Sequence, residues 1–203
     1  MSIWLIRHGE TALNAARVLQ PADTPLSPHG QRQAEALAER MQGGEGFAAI
    51  LSSDLPRAAQ TAQAIAHLSG RNIEYTALLH ERNFGDWRGR PYDSLSTDPL
   101  TMSEAPPGGE STDQFAARCR QAFERVLQRQ AELGGPLVVV THGLVIRQML
   151  AAHAQDGALE LPRMGNTSLT ILDAAPSHAV RLLNCVRHLD RGLREGAGSL
   201  SGG

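Results

Sequence analysis

The sequence predicts an α/β domain of three layers, α/β/α, in which helices cover both faces of a mostly parallel central sheet. Short apolar runs alternate along the chain with longer segments whose apolar residues recur every three to four positions. Residues 137–140 read Leu-Val-Val-Val, as in a strand buried on both faces of a sheet. With 203 residues, 41% of them hydrophobic, the chain is long enough for one domain with a substantial core.

Local signals place the elements in order along the chain. The predicted strands lie at residues 3–6, 47–51, 72–75, 137–140, 169–172 and 180–186. The predicted helices contain residues 28–41, 58–66, 115–126 and 145–150. Ser27 before Pro28 is typical of a helix N-terminus, and Ser111 with Gln114 matches a capping box.

From residue 80 to residue 110 the periodicity is lost, and Gly, Pro, Asp and Ser accumulate. A loop of this length in a compact domain is commonly functional. The chain shows no internal repeat and no linker. We therefore expect a single domain over residues 1–190, followed by a disordered Gly/Ser-rich tail over residues 191–203.

The basic residues are unusual, because all 19 are arginine and the chain contains no lysine. Schiff-base chemistry, pyridoxal-phosphate attachment and a Walker-type phosphate loop are excluded, since each needs a lysine amine. The codon composition of a GC-rich genome would produce the same bias. Arginine remains well suited to bidentate binding of phosphate or carboxylate.

A formal net charge of −2 gives no general attraction to nucleic acid or to an anionic membrane. Cys119 and Cys185 are too few for a disulfide framework or a cysteine-rich metal site, and their apolar flanks predict buried thiols. No apolar run is long enough to cross a bilayer, and the N-terminus lacks a signal-peptide pattern. We expect a cytoplasmic protein with no nucleic-acid or membrane partner.

Charged and imidazole side chains follow the predicted strands at the points where these end. Arg7 and His8 follow the first strand, residues 53–57 follow the second, His142 follows the fourth, and residues 80–82 begin the long loop. In parallel sheets, ligands bind beyond the carboxyl ends of the strands. Each of these residues alone fits an ordinary hydrogen-bonded loop position, but their joint placement at one edge of the sheet favours a functional site.

Two imidazoles, two arginines and one carboxylate suit phosphoryl transfer. A neutral imidazole can attack a phosphoryl group, and water can hydrolyse the resulting phosphohistidine. Arginines and a second imidazole stabilise the charge on the phosphoryl oxygens, and a carboxyl group can protonate the leaving oxygen. The acidic residues form no cluster of the kind that binds Mg²⁺, so we expect neither a metal nor a cofactor.

Five motifs, in this order, resemble the signature of the histidine phosphatase superfamily. The first is Leu-Ile-Arg-His-Gly-Glu-Thr at residues 5–11, followed by Asn14 and Arg17. The others are Ser-Ser-Asp-Leu-Pro-Arg-Ala at 52–58, Glu81 with Phe-Gly-Asp-Trp at 84–87, Pro-Gly-Gly-Glu-Ser at 107–111 and Val-Thr-His-Gly at 140–143. The resemblance covers residues 3–186 and implies a phosphoglycerate mutase-like fold.

This resemblance implies a role for each matching residue. His8 would be the phosphorylated nucleophile, and Glu81 would be the proton donor and later the base that activates water. Arg7, Arg57 and His142 would form the phosphate pocket. The further candidates for substrate or phosphate binding are Asn14, Gly143, Thr24 and Arg82. The expected substrate is a small phosphorylated metabolite.

Within the superfamily, the sequence resembles the alpha-ribazole phosphatases and broad-specificity phosphatases. Residues 81–87 read Glu-Arg-Asn-Phe-Gly-Asp-Trp, whereas the mutases show Glu-Arg-His-Tyr-Gly. The chain is also shorter than those mutases and has no lysine to hold a second phosphate. A mutase-type phosphotransferase is the alternative, and a non-catalytic regulatory module that binds a phospholigand is the alternative from a different class.

Two positions depart from the family pattern. The position where a glycine is usual holds Pro21, or Gln20 if the spacing shifts by one, and Leu13 stands where an aromatic residue is common. Proline removes a backbone donor and fixes φ, so the family's contacts in this loop do not carry over. The loop arginines Arg82, Arg88 and Arg90 fit two interpretations, a site for a second anionic group of the substrate or an ordinary solvated loop.

Overall fold

The computed structural model describes residues 1–43, 46–100, 102–153 and 161–194, and it confirms the α/β prediction. The strands are β1 (Ser2–Arg7), β2 (Ala49–Ser52), β3 (Ile73–Tyr75), β4 (Leu137–Thr141), β5 (Leu169–Asp173) and β6 (Val180–Cys185). The helices are α1 (Ala12–Ala15), α2 (Pro28–Gln42), α3 (Pro56–Ser69), α4 (Thr112–Leu133) and α5 (Gly143–His153). The strands form one sheet in the order β3-β2-β4-β1-β5-β6.

The first four strands run parallel, and this direction positions the site. Arg7 is paired with Thr141, and Ser52 is paired with Val140, so β1, β2 and β4 end side by side. The last two strands are antiparallel, β5 against β1 and β6 against β5, which makes the sheet mostly parallel, as predicted. Residues that follow β1, β2 and β4 therefore meet at one edge of the sheet.

The core consists of two layers because side chains alternate between the faces of each strand. From β1, Ile3 and Leu5 pack with α4 and α5, whereas Trp4 and Ile6 pack with α2 and α3. Three of these four side chains are fully buried. The amphipathic spacing that predicted the longer helices thus corresponds to burial against the two faces of the sheet.

Hydrogen-bonded caps fix the helix starts. The Ser27 hydroxyl accepts from the Gly30 backbone N–H at 3.0 Å, and Ser111 and Gln114 form the predicted capping box. A four-residue helix that the sequence did not predict, α1, begins with a second capping box between Thr11 and Asn14. This helix is too short to show apolar periodicity.

The segment from residue 80 to residue 111 is held to the domain by packing and backbone pairing. Phe84 and Tyr92 pack with Leu19 in a small third core. Gly85 has φ of +52°, and a Cβ there would lie 2.0 Å from the Pro107 carbonyl oxygen. Only glycine therefore fits where the two ends of this loop cross.

At the C-terminal end, the chain stays in contact with the domain as far as Leu193, whose carbonyl accepts from Gln33 Nε2 at 2.8 Å. The rest of the expected tail, residues 195–203, lies outside the described residues. Cys119 is buried as expected, whereas Cys185 is partly exposed. In the part of the chain that the structure describes, no helix is long and apolar enough to span a bilayer.

Candidate active site

His8 lies directly after β1 and is 1% exposed. Its backbone N–H donates to the Thr141 carbonyl at 3.0 Å, and its ring Nδ1 lies 2.7 Å from the Gly9 carbonyl oxygen. Because a carbonyl can only accept, Nδ1 carries the ring proton, and Nε2 holds the lone pair. This is the tautomer in which Nε2 can act as a nucleophile.

The electrostatic surroundings keep His8 neutral. Burial lowers its pKa well below the usual value, and the positive charges of Arg57 and Arg7 lower it further. A hydrogen bond with the Gly9 carbonyl opposes this shift, but the net direction is downward. The imidazole is therefore unprotonated at neutral pH, as attack on phosphorus requires.

Arg7 and Arg57 bring two cations to the same place. Both are at most 2% exposed, Arg7 as the last residue of β1 and Arg57 in the first turn of α3. Arg7 Nη1 donates to the Met164 carbonyl at 2.6 Å, and Arg57 Nη1 donates to the Pro21 carbonyl at 3.3 Å. Arg57 Nε is buried and has no hydrogen-bond partner among the described residues. This donor is available for a phosphoryl oxygen.

His142 follows β4, and its ring centroid lies 5.1 Å from that of His8. Its Nε2 lies 3.0 Å from Ser53 Oγ, which also accepts from the Leu55 backbone N–H at 3.3 Å. His142 Nδ1 is buried without a partner within the described ranges. If the Ser53 hydroxyl donates to Nε2, then Nδ1 carries the proton and can donate it to a phosphoryl oxygen. Ser53 is then a positioning residue.

Glu81 completes the group at this edge of the sheet and is 3% exposed. One carboxylate oxygen accepts from the Arg82 backbone N–H at 3.0 Å, and the other accepts from the Leu144 backbone N–H at 3.2 Å. Burial raises the pKa of Glu81, although these hydrogen bonds and the charge of Arg57 oppose the shift. The carboxyl group is thus biased towards its protonated form, which a proton donor needs.

Arg118 and Glu110 hold the segment that carries Glu81. Arg118 Nη1 donates to the carbonyls of Leu78 and His80 at 2.9 and 2.7 Å, and its Nη2 donates to the Glu81 carbonyl at 3.3 Å. The same guanidinium binds the Glu110 carboxylate through Nε and Nη2, both at 2.7 Å. Burial opposes ionisation of Glu110, but the hydrogen bonds from Arg118 and from a backbone N–H lower its pKa overall. The sequence assigned no role to Arg118.

Arg82, which the sequence suggested as a substrate-binding residue, has a different environment. It is 4% exposed, and its guanidinium donates to backbone carbonyls of the long loop. These carbonyls belong to Pro99, Met102, Glu104 and Glu110, at 3.2 to 3.4 Å. These bonds engage much of the guanidinium, yet Arg82 also lines a surface pocket with Phe115 and Leu144, so its role in substrate binding stays a prediction. Arg82 holds the loop together.

The remaining candidates also lie near the pocket. Asn14 is fully buried, and its Nδ2 donates to Asn166 Oδ1 at 3.1 Å, while Asn166 Nδ2 donates to the His8 carbonyl at 3.0 Å. Thr24 Oγ1 donates to the Pro21 carbonyl at 2.9 Å, the same oxygen that Arg57 contacts. Gly143 is the first residue of α5, directly after His142.

Two further residues that the sequence did not indicate position His8. Asn166 links Asn14 to the backbone of His8. Thr61 accepts from the Gly9 backbone N–H at 3.1 Å and donates to the Arg57 carbonyl at 2.8 Å, which ties the segment that carries His8 to α3. Across residues 1–43, 46–100, 102–153 and 161–194, no three His, Cys, Asp or Glu side chains are grouped as metal ligands.

Known proteins are similar to this chain in sequence and in fold. The family model of the histidine phosphatase superfamily (branch 1) matches residues 3–185. Phosphoglycerate mutase-like protein 4 of Arabidopsis thaliana is 36% identical over 181 residues, which are 83% of this chain and 77% of the relative. A mycobacterial glucosyl-3-phosphoglycerate phosphatase superposes with a TM-score of 0.76 at 30% identity, over 91% of this chain and 98% of its own.

The alpha-ribazole phosphatase from Shigella flexneri shares the fold, with a TM-score of 0.80 at 24% identity over 92% of this chain and 97% of its own. These matches confirm the expected phosphoglycerate mutase-like architecture. They include both proteins named as phosphatases and a protein named as mutase-like. On the strength of the family match over nearly the whole domain, this chain belongs to the histidine phosphatase superfamily.

Proposed function

We propose that this protein is a phosphomonoesterase that hydrolyses a small phosphorylated metabolite through a phosphohistidine on His8, without a metal ion. The observation that supports it most is the enclosure of a neutral, correctly oriented imidazole by Arg7, Arg57 and His142, beside a buried carboxyl group. The likeness to a protein named as a glucosyl-3-phosphoglycerate phosphatase supports the same reaction class.

In the first step, His8 Nε2 attacks phosphorus and the bond from phosphorus to the ester oxygen breaks. Glu81 gives its proton to that oxygen, which leaves as an alcohol. Arg7, Arg57 and His142 bind the phosphoryl oxygens, whose negative charge is spread in the transition state. The products of this step are phosphohistidine and a Glu81 carboxylate.

In the second step, water attacks phosphorus and the nitrogen–phosphorus bond breaks. The Glu81 carboxylate takes the proton of the attacking water, so that both His8 and Glu81 return to their starting protonation states. Inorganic phosphate then leaves. No atom outside the named residues, the ester and water is needed to balance either step.

The test is turnover of a panel of phosphomonoesters with and without EDTA, in the wild type and in His8→Ala. We expect EDTA-resistant release of phosphate that His8→Ala abolishes. His67→Ala is the matched control, because His67 is an exposed histidine on α3, and this variant should keep full activity. Full activity of His8→Ala would contradict the mechanism.

A second candidate, mutase-type transfer, is favoured by the likeness to a phosphoglycerate mutase-like relative. The same panel separates the two, because a mutase passes the phosphoryl group to an acceptor alcohol and a phosphatase passes it to water. A non-catalytic module that binds a phospholigand predicts binding of phosphate without turnover of any ester.

A further inference from the structure

Arg88 is an arginine near the candidate site that forms no ion pair in the described part of the chain. Its side chain is partly buried, and its guanidinium has no hydrogen-bond or ion-pair partner in the described part of the chain. Burial lowers its pKa, and the charge of Glu110 opposes this shift only in part, so the cation is partly removed from water. An unmatched cation in such a place costs free energy unless something else binds it.

Arg82 and Arg90, the other two loop arginines that the sequence singled out, differ from Arg88 in burial and in hydrogen bonding. The guanidinium of Arg82 is surrounded by backbone carbonyls, so its donors are used by the protein. Arg90 is exposed, two residues beyond Arg88, and its backbone carbonyl accepts from the Leu19 N–H at 3.0 Å. Of the two sequence interpretations for this group, the solvated loop fits Arg90, and an anion site fits Arg88.

Backbone pairing places Arg88 beside the phosphate pocket. The N–H of Gly89 donates to the Leu19 carbonyl at 2.6 Å, which fixes the residue after Arg88 on the segment 19–21. Arg57 donates to the carbonyl of Pro21 in the same segment at 3.3 Å. Burial lowers the pKa of Arg57 to about 10, and the positive charge of Arg88 adds to that effect while Glu81 opposes it. The two guanidinium groups therefore lie close enough for their positive charges to repel each other.

Among the described residues, the nearby carboxylates act on Arg88 only at a distance, as Glu110 does, and none forms an ion pair with it. Glu110 binds Arg118 through both oxygens, and Asp93 pairs with Arg17 at 3.1 Å. Glu81 is buried, and its raised pKa favours the uncharged form. Asp86, in the same loop, is exposed and forms no ion pair with Arg88. Among the described residues, Arg88 is thus left without a carboxylate in hydrogen-bond contact.

We propose that Arg88 binds a second anionic group, carried by the alcohol part of the substrate. The substrate class is then a phosphomonoester whose leaving group bears a carboxylate or a further phosphate. A planar guanidinium with free donors pairs with either group in bidentate geometry. This inference rests on the proposed phosphatase function and specifies the substrate of the same site.

Two matched pairs of esters test it. 3-Phosphoglycerate differs from glycerol 3-phosphate by a carboxylate in place of a hydroxymethyl group, and propane-1,3-diol bisphosphate differs from its monophosphate by a second phosphate. The wild type should prefer the charged member of at least one pair, and that pair identifies the anion. Arg88→Gln should lower this preference, measured as a ratio of kcat/KM values, by about tenfold to a hundredfold. The loss should appear mainly in KM.

Arg90→Gln is the matched control, because it removes an exposed arginine from the same loop, and it should keep the wild-type ratio. Arg88→Gln should also keep the wild-type melting temperature, since no residue in the described part of the chain pairs with this guanidinium. A lowered melting temperature would reveal a structural role and overturn the inference.

Two results would overturn the inference and leave the phosphatase proposal intact. An unchanged ratio in Arg88→Gln would mean that no second anion is bound there. An equal loss for charged and neutral esters would mean that Arg88 acts on the transferred phosphoryl group. If the wild type hydrolyses none of these esters and does not hydrolyse p-nitrophenyl phosphate, both proposals fail together.

Discussion

The arginines of the pocket and those of the long loop around Glu81 are used in different ways. In the phosphate pocket, Arg57 contacts one backbone carbonyl and keeps a buried Nε without a partner among the described residues. In the long loop, Arg82 and Arg118 direct their guanidinium groups at several backbone carbonyls, and Arg118 also binds a carboxylate. The residue type is the same, but the pocket arginine keeps a donor without a partner among the described residues, whereas the loop arginines donate to several protein acceptors.

This difference follows from what surrounds each group. The pocket residues sit at the ends of β1 and β4 and at the start of α3, so regular hydrogen bonding already fixes their backbone. The loop has little regular structure, and its carbonyls need other donors. Arginine side chains supply these donors. Substitutions in the pocket should therefore change the chemistry, and substitutions in the loop should change the position of Glu81.

Among substitutions that leave His8 in place, the largest effect is expected for Glu81→Gln with an alkyl phosphate. The amide cannot protonate the leaving alkoxide, so kcat/KM should fall by about 10²–10⁴-fold. With p-nitrophenyl phosphate, whose leaving group needs no proton, the first step should survive while the attack of water is slowed. Rapid mixing should then show a burst of one nitrophenol per active site, followed by slow turnover. Equal losses for both esters without a burst would contradict the role of Glu81.

Arg57→Gln comes next, because it removes a donor for the phosphoryl oxygens in the transition state. We expect kcat to fall by about 10²–10³-fold, with similar factors for alkyl and aryl esters. Its unfolding temperature should change little, since the substitution breaks one long hydrogen bond from the guanidinium to the Pro21 carbonyl. Loss of the folded state instead would show that Arg57 is structural and would remove the contrast with the loop arginines.

A smaller effect is expected for Arg118→Gln, which cuts the links to the segment 78–81 and to Glu110. Displacement of Glu81 should cost about tenfold to a hundredfold in kcat for alkyl esters, and less for p-nitrophenyl phosphate. This dependence on the leaving group identifies an effect transmitted through Glu81. Arg118→Lys should not restore activity, because an ammonium cannot contact the carboxylate and the carbonyls in the same planar arrangement.

The variation of wild-type kcat/KM with pH is expected to be smaller than the effects of the substitutions above. His8 is neutral above its lowered pKa, and Glu81 is protonated below its raised pKa, so activity should fall as pH rises through the pKa of Glu81. In Glu81→Gln this alkaline decrease should disappear. Because ionisation of the ester is common to both proteins, the difference between the two profiles isolates Glu81. An alkaline decrease retained in Glu81→Gln would contradict the assignment.

The residues at the sheet edge were predictable from the sequence, because the carboxyl ends of parallel strands meet at one edge of a sheet. Buried apolar runs located β1 and β4, and the residues directly after them, His8 and His142, proved to be neighbours. The same rule applies to Ser53, which follows β2 and contacts His142, so its position was visible although its role was not.

The loop was less predictable, because the sequence does not show which acceptors a polar side chain finds. Arg82, Arg88 and Arg90 look alike in the sequence. Among the described residues, however, Arg82 is surrounded by carbonyls, Arg88 is half-buried without a partner and Arg90 is exposed. Asn166 lies 158 positions from His8, and only the folded chain brings its amide to the His8 carbonyl. Side-chain contacts of this kind depend on tertiary structure and leave no periodic signal.

The central claim is that the phosphoryl group is carried by His8, and the most direct measurement is to trap it there. Glu81→Gln mixed with p-nitrophenyl phosphate should accumulate an acid-labile, alkali-stable phosphoenzyme, and peptide mapping should place the phosphate on His8. The double variant with His8→Ala should yield none. Phosphate on another residue, or hydrolysis of the ester by wild type with no phosphoenzyme in Glu81→Gln, would contradict the account.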